Sequence, residues 1–112
     1  MNITYRWRNS DKTDAVEELT SKKLEKIGKH LDKINQVQVT FDCVKQDHIA
    51  KASLHVPGEE INAHATDEDM YKAIDSMIHK LSRQIDAYKE KLKSHRDHRD
   101  HKDLQENSDD RE

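Results

Sequence analysis

The sequence predicts an α+β fold, a β-α-β-β-β-α two-layer sandwich with two helices packed on one face of a four-stranded sheet. Three observations predict it. Met70, Ile74, Met77, Leu81, Ile85, Tyr88 and Leu92 recur at spacings of three and four, which makes one apolar stripe on a long helix. Four other stretches alternate apolar with polar residues, the period of a half-buried strand. Short polar connections join the last three of these, as in an antiparallel meander.

Each element has its own signal. Met1, Ile3, Tyr5 and Trp7 alternate with Asn2, Thr4, Arg6 and Arg8, a strand with one apolar face. Asn9 to Lys12 is a polar turn. The first helix is expected from about Thr13 to about Lys33, capped by Asp11 or Thr13, with Asp14 and Glu17 as a competing capping pair. Val16, Leu19, Thr20, Leu24, Ile27 and Leu31 form its inner stripe. Gly28 weakens it by roughly 1 kcal/mol relative to Ala. Ile34 to Val44 alternates again, with Val37, Val39, Phe41 and Cys43 facing inward, and Cys43 reads as a small buried hydrophobe. Lys45 to His48 is a hairpin connection. Ala50, Ala52, Leu54 and Val56 mark the third strand, Pro57-Gly58 a turn, and Ile61, Ala63 and Ala65 a short fourth strand. The long helix is expected from Asp67 to Lys93. Thr66 or Asp67 caps it, and the acidic run Asp67-Glu68-Asp69 suits the positive end of its dipole.

Composition divides the chain in two. Of 112 residues 38% are charged and 32% hydrophobic, so the core is small and the surface densely ionic. Residues 1–94 hold 16 basic and 16 acidic side chains, and 95–112 hold 4 and 7, which carries the whole net charge of −3. The expected organisation is a folded domain over 1–93 and a charged tail over 94–112. Within the tail His95-Arg96-Asp97, His98-Arg99-Asp100 and His101-Lys102-Asp103 form a near-repeat with too little apolar surface to order itself. No apolar run approaches a membrane span, the N-terminus lacks the core of a secretory signal, and one cysteine makes no internal disulfide. That is the pattern of a cytoplasmic protein.

Little in the sequence suggests an enzyme. Two glycines, Gly28 and Gly58, exclude a glycine-rich phosphate loop. His55 and His64 fall on the polar side of their strands, and no nucleophile motif accompanies them. His95, His98 and His101, three apart, invite a divalent metal, and a metal-responsive interaction protein is the rival reading. A solvated tail explains the same residues without a metal. No cofactor is implied.

The basic strips are the better signal. At roughly 100° per residue Lys22, Lys26, Lys29 and Lys33 fall within about 60° on the first helix. Glu18, Glu25 and Asp32 occupy a separate strip. The last helix adds Lys80, Arg83 and Lys91 on its solvent side, with Lys72 and His79 nearby. Lines of ammonium groups complement a phosphate backbone. Five aromatic residues are too few for a base-stacking sheet, so contact would be with backbone and groove shape.

Certain stretches carry a resemblance. Lys33-Ile34-Asn35-Gln36-Val37-Gln38-Val39, Ala50-Lys51-Ala52-Ser53-Leu54-His55-Val56, and above all Asp69-Met70-Tyr71-Lys72-Ala73-Ile74-Asp75 with Lys80-Leu81-Ser82-Arg83-Gln84-Ile85 resemble the short ribosome hibernation promoting factors and the related ribosome-associated inhibitor A, or protein Y. The resemblance covers about residues 1–93. It implies the β-α-β-β-β-α fold and binding to the small ribosomal subunit between head and body, where messenger and transfer RNA would sit. It also implies inhibition of translation in stationary phase and assistance, with ribosome modulation factor, in forming inactive ribosome dimers. The family contacts ribosomal RNA through basic residues of both helices. Matching positions are Lys23, Lys26 and Lys29 on the first helix, beside Lys22 of the basic strip, and Lys80, Arg83, Gln84, Lys89 and Lys91 on the second. The chain departs from the family at Thr4–Arg8, at Lys12, and at Asp86-Ala87, where a lysine is frequent. Its tail is longer than in the typical short factor. The inhibitor's mostly acidic C-terminal extension is associated with opposing dimers, which leaves two behaviours open for residues 94–112.

Overall fold

Alternation decides which side chains each strand buries, and the register of the sheet decides which of them meet. The computed structural model describes residues 2–29, 34 and 36–97, with side chains as far as Lys93. The elements run β1 (Asn2–Arg8), α1 (Asp14–Gly28), β2 (Gln36–Val44), β3 (Asp47–Val56), β4 (Glu59–Asp67) and α2 (Met70–Asp97). The expected β-α-β-β-β-α order holds. The sheet order is β1-β2-β3-β4, with β1 parallel to β2 and the other pairs antiparallel. The parallel pair requires the crossover that α1 provides.

Both helices lie on the apolar face. Val37, Val39, Phe41, Ala50, Ala52, Leu54, Ile61, Ala63 and Ala65 are buried beneath them. From α2, Ala73, Ile74, Met77, Leu81, Ile85 and Tyr88 complete the core, and α1 adds Val16, Thr20 and Leu24. Leu19 and Ile27 of the expected α1 stripe are half-buried, at its margins. Leu31 lies outside the described residues. The Thr20 hydroxyl donates to the Val16 carbonyl one turn back at 2.7 Å, which satisfies the polar group in this apolar stripe.

β1 is an edge strand, and its aromatic side chains tie it to α1. Tyr5 donates to the Glu17 carbonyl at 2.9 Å and hydrogen-bonds the Ser21 hydroxyl. The Trp7 indole N–H donates to Glu17 Oε2 at 2.7 Å. Burial, then the nearby charges of Glu17 and Glu25, push the Tyr5 phenol above its ordinary range, against the opposing effect of the Ser21 bond. Its neutral form therefore stabilises the fold. That contribution is complete below pH 10 and falls away as pH rises through the folded-state pKa. Replacing Tyr5 with Phe keeps the ring and removes the hydroxyl. The expected loss is about 1 kcal/mol in a urea titration, the net worth of one hydrogen bond; an unchanged midpoint would show that the phenol does not fasten β1.

Element ends differ from expectation in physical detail. The α2 helix starts at Met70, not Asp67. β4 is nine residues long because its pairing with β3 continues to Asp67 opposite His48. The acidic run then makes the turn: Asp67 Oδ1 accepts the Asp69 N–H, and Asp69 Oδ1 accepts the Tyr71 N–H, both at 2.9 Å. Asp69 is thus the cap. At its other end α2 runs on as helix to Asp97, across the boundary of composition after Lys93. Thr13 is the N-cap of α1 without a side-chain capping bond, its hydroxyl turned toward the Asp11 carbonyl at 3.4 Å. Glu17, the expected partner in the competing pair, is taken by Trp7. The described part of α1 ends at Gly28, and the expected extension over 30–33 lies outside the described residues.

Lys45-Gln46 closes the β2–β3 hairpin, with Val44 paired to Asp47 and Lys45 at φ 59°. Gly58 turns β3 into β4 at φ 90°, where a side chain would be strained, and Tyr88 of α2 donates to the adjacent Pro57 carbonyl at 2.7 Å. Cys43 is half-buried, not fully buried, because β2 has almost reached its end there; its Sγ lies 3.6 Å from the Lys45 carbonyl.

Candidate nucleic-acid interface

Helical period fixes which α1 lysines face outward. Lys22, Lys26 and Lys29 are exposed opposite the buried Thr20–Leu24 stripe, and none of them makes an ion pair among the described residues. Lys23 lies off this line. Its ammonium reaches Asp75 of α2 at 3.0 Å and ties the two helices together, so it is half-buried and partnered. Glu18 and Glu25 are exposed on a strip that adjoins the lysines, each one turn before Lys22 and Lys29.

On α2 the expected residues separate into three groups. Arg83 is exposed and makes no ion pair among the described residues. Lys80 and Gln84 lean over β4, the edge strand. Lys80 Nζ donates to the His64 carbonyl at 2.9 Å, and Gln84 Nε2 to the Asn62 carbonyl at 2.5 Å. These side chains occupy the outward carbonyls of a strand that would otherwise offer them for pairing. Lys80 keeps two further N–H donors and its full charge. Lys91 pairs with Glu59 at 2.7 Å, and Lys89 is half-buried. The structure therefore gathers Lys22, Lys26 and Lys29 on one helix and Arg83 with Lys80 on the other as the cations with free capacity. It gives Lys23, Gln84 and Lys91 partners within the chain.

The polar histidines face solvent as expected. His64 is exposed, and His55 lies 3.3 Å from Glu60. Among the described residues no cluster of His, Cys, Asp and Glu could hold a metal ion. The side chains of His95, His98 and His101 lie outside the described residues. Among those residues no helix is long and apolar enough to cross a membrane.

Sequence reasoning missed a third set of cations, Arg6, Arg8 and Lys51, exposed on the sheet face that the helices leave open. Alternation alone places them on the polar side. Which of them are neighbours depends on the strand order, which alternation does not state. On this face Asp42 accepts from the Asn9 amide at 3.0 Å and the Cys43 N–H at 2.8 Å. Those bonds, and secondarily the charges of Arg8 and Lys51, hold its carboxyl below the usual carboxylate range.

Residues 3–93 match the family model described as Sigma 54 modulation protein / S30EA ribosomal protein. The chain belongs to that family. Among S30EA relatives, the ribosome hibernation promoting factors of Escherichia coli K12 and Salmonella typhimurium are each 42% identical over 95 residues, covering 85% of this chain and all of theirs. That of Pseudomonas putida is 36% identical over 94 residues, 84% of this chain and 92% of its own. A ribosomal subunit interface protein from Coxiella burnetii superimposes with a TM-score of 0.76 at 38% identity, covering 80% of this chain and 98% of that one. The N-terminal domain of Thermus thermophilus protein Y gives 0.72 at 26% identity, covering 79% and 99%. The matched span takes in β1 from Ile3, the whole of α1, β2, β3 and β4, and α2 as far as Lys93, and residues 94–112 fall beyond it.

Proposed function

We propose that this protein is a non-enzymatic ribosome hibernation factor, cytoplasmic and ribosome-associated. It binds the small ribosomal subunit in the channel for messenger and transfer RNA, with its helix layer against ribosomal RNA. The observation that carries the reading is the 42% identity across the whole length of the hibernation promoting factors, over the residues that build both basic helices. The exposed cations Lys22, Lys26, Lys29, Lys80 and Arg83 supply the complement to phosphate. No chemical step is needed. A folded domain seated in the channel excludes messenger and transfer RNA by occupying their volume, and translation stops while it is bound. With ribosome modulation factor, the bound domain stabilises inactive ribosome dimers. Gradient sedimentation of a cell lysate tests the reading. The protein is expected in the small-subunit and whole-ribosome peaks; a protein that stays at the top of the gradient would end it.

A second reading concerns residues 94–112, which lie beyond the family match and carry the acidic excess. In it the tail opposes dimers, as in the inhibitor relative. The chain cut after Asp97, where α2 ends, should then give more ribosome dimers with the modulation factor than the full chain. Equal dimer peaks would remove this role.

A further inference from the structure

The register of the sheet draws one basic row across its open face. Arg6 of β1 pairs with Thr40 of β2, Thr40 with Lys51 of β3, and Lys51 with His64 of β4. Arg6, Lys51 and His64 are all exposed, and neither Arg6 nor Lys51 makes an ion pair among the described residues. Neighbouring strands stand about 4.8 Å apart, so Arg6 and Lys51 are separated by about 10 Å and His64 lies about 5 Å beyond. The row does not stop at the sheet edge. Lys80 of α2 donates to the His64 carbonyl, so its charge sits at the end of the row, and Arg83 follows on the next turn of the helix.

We propose that this belt, Arg6–Lys51–His64 continued over the β4 edge by Lys80 and Arg83, is a second contact for the phosphate backbone of structured RNA. The proposal rests on the ribosome-binding reading above and extends it from the helix layer to the opposite side of the domain. The nearest acid of the open face, Asp42, feels the charge of Lys51, but its carboxylate is already taken by hydrogen bonds. Asp42 stands in the next row with Arg8, held by Asn9 and by backbone, and Asp47 lies beyond it at the hairpin end. Glu60 lies two rows away on the other side, against His55. Between belt and Glu60 runs an uncharged row, Thr4–Gln38–Ser53–Asn62, whose Ser53 hydroxyl donates to Asn62 Oδ1 at 2.6 Å. The two signs meet at Arg8 with Asp42 and at His55 with Glu60, whereas the belt and the uncharged row beside it hold no acid. None of the sixteen open-face positions of the four paired rows is Phe, Tyr or Trp, and the two imidazoles, His55 and His64, stand in different rows, so the face is no base-stacking platform and a backbone is the fitting ligand. With cations on both layers, the domain can touch two RNA walls at once.

The experiment is pelleting of the full chain with purified small ribosomal subunits across a salt series, parent against Arg6→Gln with Lys51→Gln. Each phosphate contact contributes about 0.7–0.9 to the slope of log affinity on log salt. The double variant is therefore expected to bind about 25- to 60-fold more weakly near 0.1 M salt, with the slope reduced by about 1.4–1.8. Both side chains are exposed, so the melting temperature should stay within about 2 °C. If the double variant does not fold, Lys51→Gln alone should lose about 5- to 8-fold and about 0.7–0.9 of slope. Unchanged affinity and slope would overturn the proposal while leaving the helix-face reading intact. Weaker binding with an unchanged slope would also overturn it, since the face would then meet protein. A parent chain that does not pellet with subunits would bring down the ribosome-binding reading itself.

Discussion

Changing Lys26 and Arg83 together to Glu is expected to weaken binding to small ribosomal subunits by at least 25-fold near 0.1 M salt and to flatten its salt dependence. Both side chains are exposed and carry no partner charge among the described residues, so reversal should move the melting temperature by no more than about 2 °C. Each lost phosphate contact removes about 0.7–0.9 from the salt slope, and two removed contacts alone correspond to about 25- to 60-fold at that salt. Each introduced carboxylate adds repulsion. Lys26 and Arg83 are chosen over Lys23, Gln84 and Lys91 because those three are engaged within the fold, so their replacement would mix binding with stability. The control is Glu18→Lys with Glu25→Lys, on the acidic strip of α1, which should bind as well as the parent or better through the general field. Pelleting across a salt series decides the matter. A Lys26→Glu, Arg83→Glu protein that binds like the parent at every salt would show that the helix layer does not face RNA.

The sequence carried the periodicities, and those were legible. Alternation in Val37-Val39-Phe41 and Ala50-Ala52-Leu54 named the buried sheet face, and the three-and-four spacing named the buried helix face from Ile74 to Tyr88; Met70 is only half-buried and Leu92, the last residue of that stripe, is exposed. Flanks were not legible. Lys80 reads as solvent-facing and is exposed, yet α2 settles along β4, and that sets its ammonium and the Gln84 amide against edge carbonyls, which no helical wheel shows. Lys23 lies one residue, about 100°, off the lysine line, and what that angle meets, Asp75 on the other helix, is not in the wheel. A helical wheel gives the angle of a side chain about its own axis and says nothing of what stands beside that axis. The same limit hid the open-face belt. Arg6, Lys51 and His64 lie far apart in the chain, and only the β1-β2-β3-β4 order makes them a row. The start of α2 was misplaced for a related reason. An acidic run suits a helix N-terminus in isolation, but strand pairing to His48 claimed Asp67 and left Asp69 to cap.

The largest expected effect on stability is at Phe41. It is fully buried in β2, and the rings of two β1 residues lie against it: Trp7 at 4.5 Å between centroids and tilted by 36°, and Tyr5 at 6.1 Å and nearly parallel. The site joins the parallel β1–β2 pair to the anchor that Trp7 and Tyr5 make on α1. Phe41→Ala removes the ring from beneath all of this. Large-to-small substitutions of a buried Phe cost about 3–5 kcal/mol through lost burial and the cavity left behind. Single domains have about 5–15 kcal/mol in total, so the variant should be severely weakened. Phe41→Leu fills most of the volume and should cost less than half as much. Urea titration should show a much lower midpoint for Phe41→Ala with an unchanged slope, which marks lost stability and not a changed unfolded state. Trp7, the single tryptophan of the chain, reports on the same place, because its emission should shift red as water enters beneath β1. A loss under 1 kcal/mol with Trp7 emission unmoved would mean that β1 does not belong to the cooperative core. In that case the open-face belt, which begins on β1 at Arg6, would lack a rigid base.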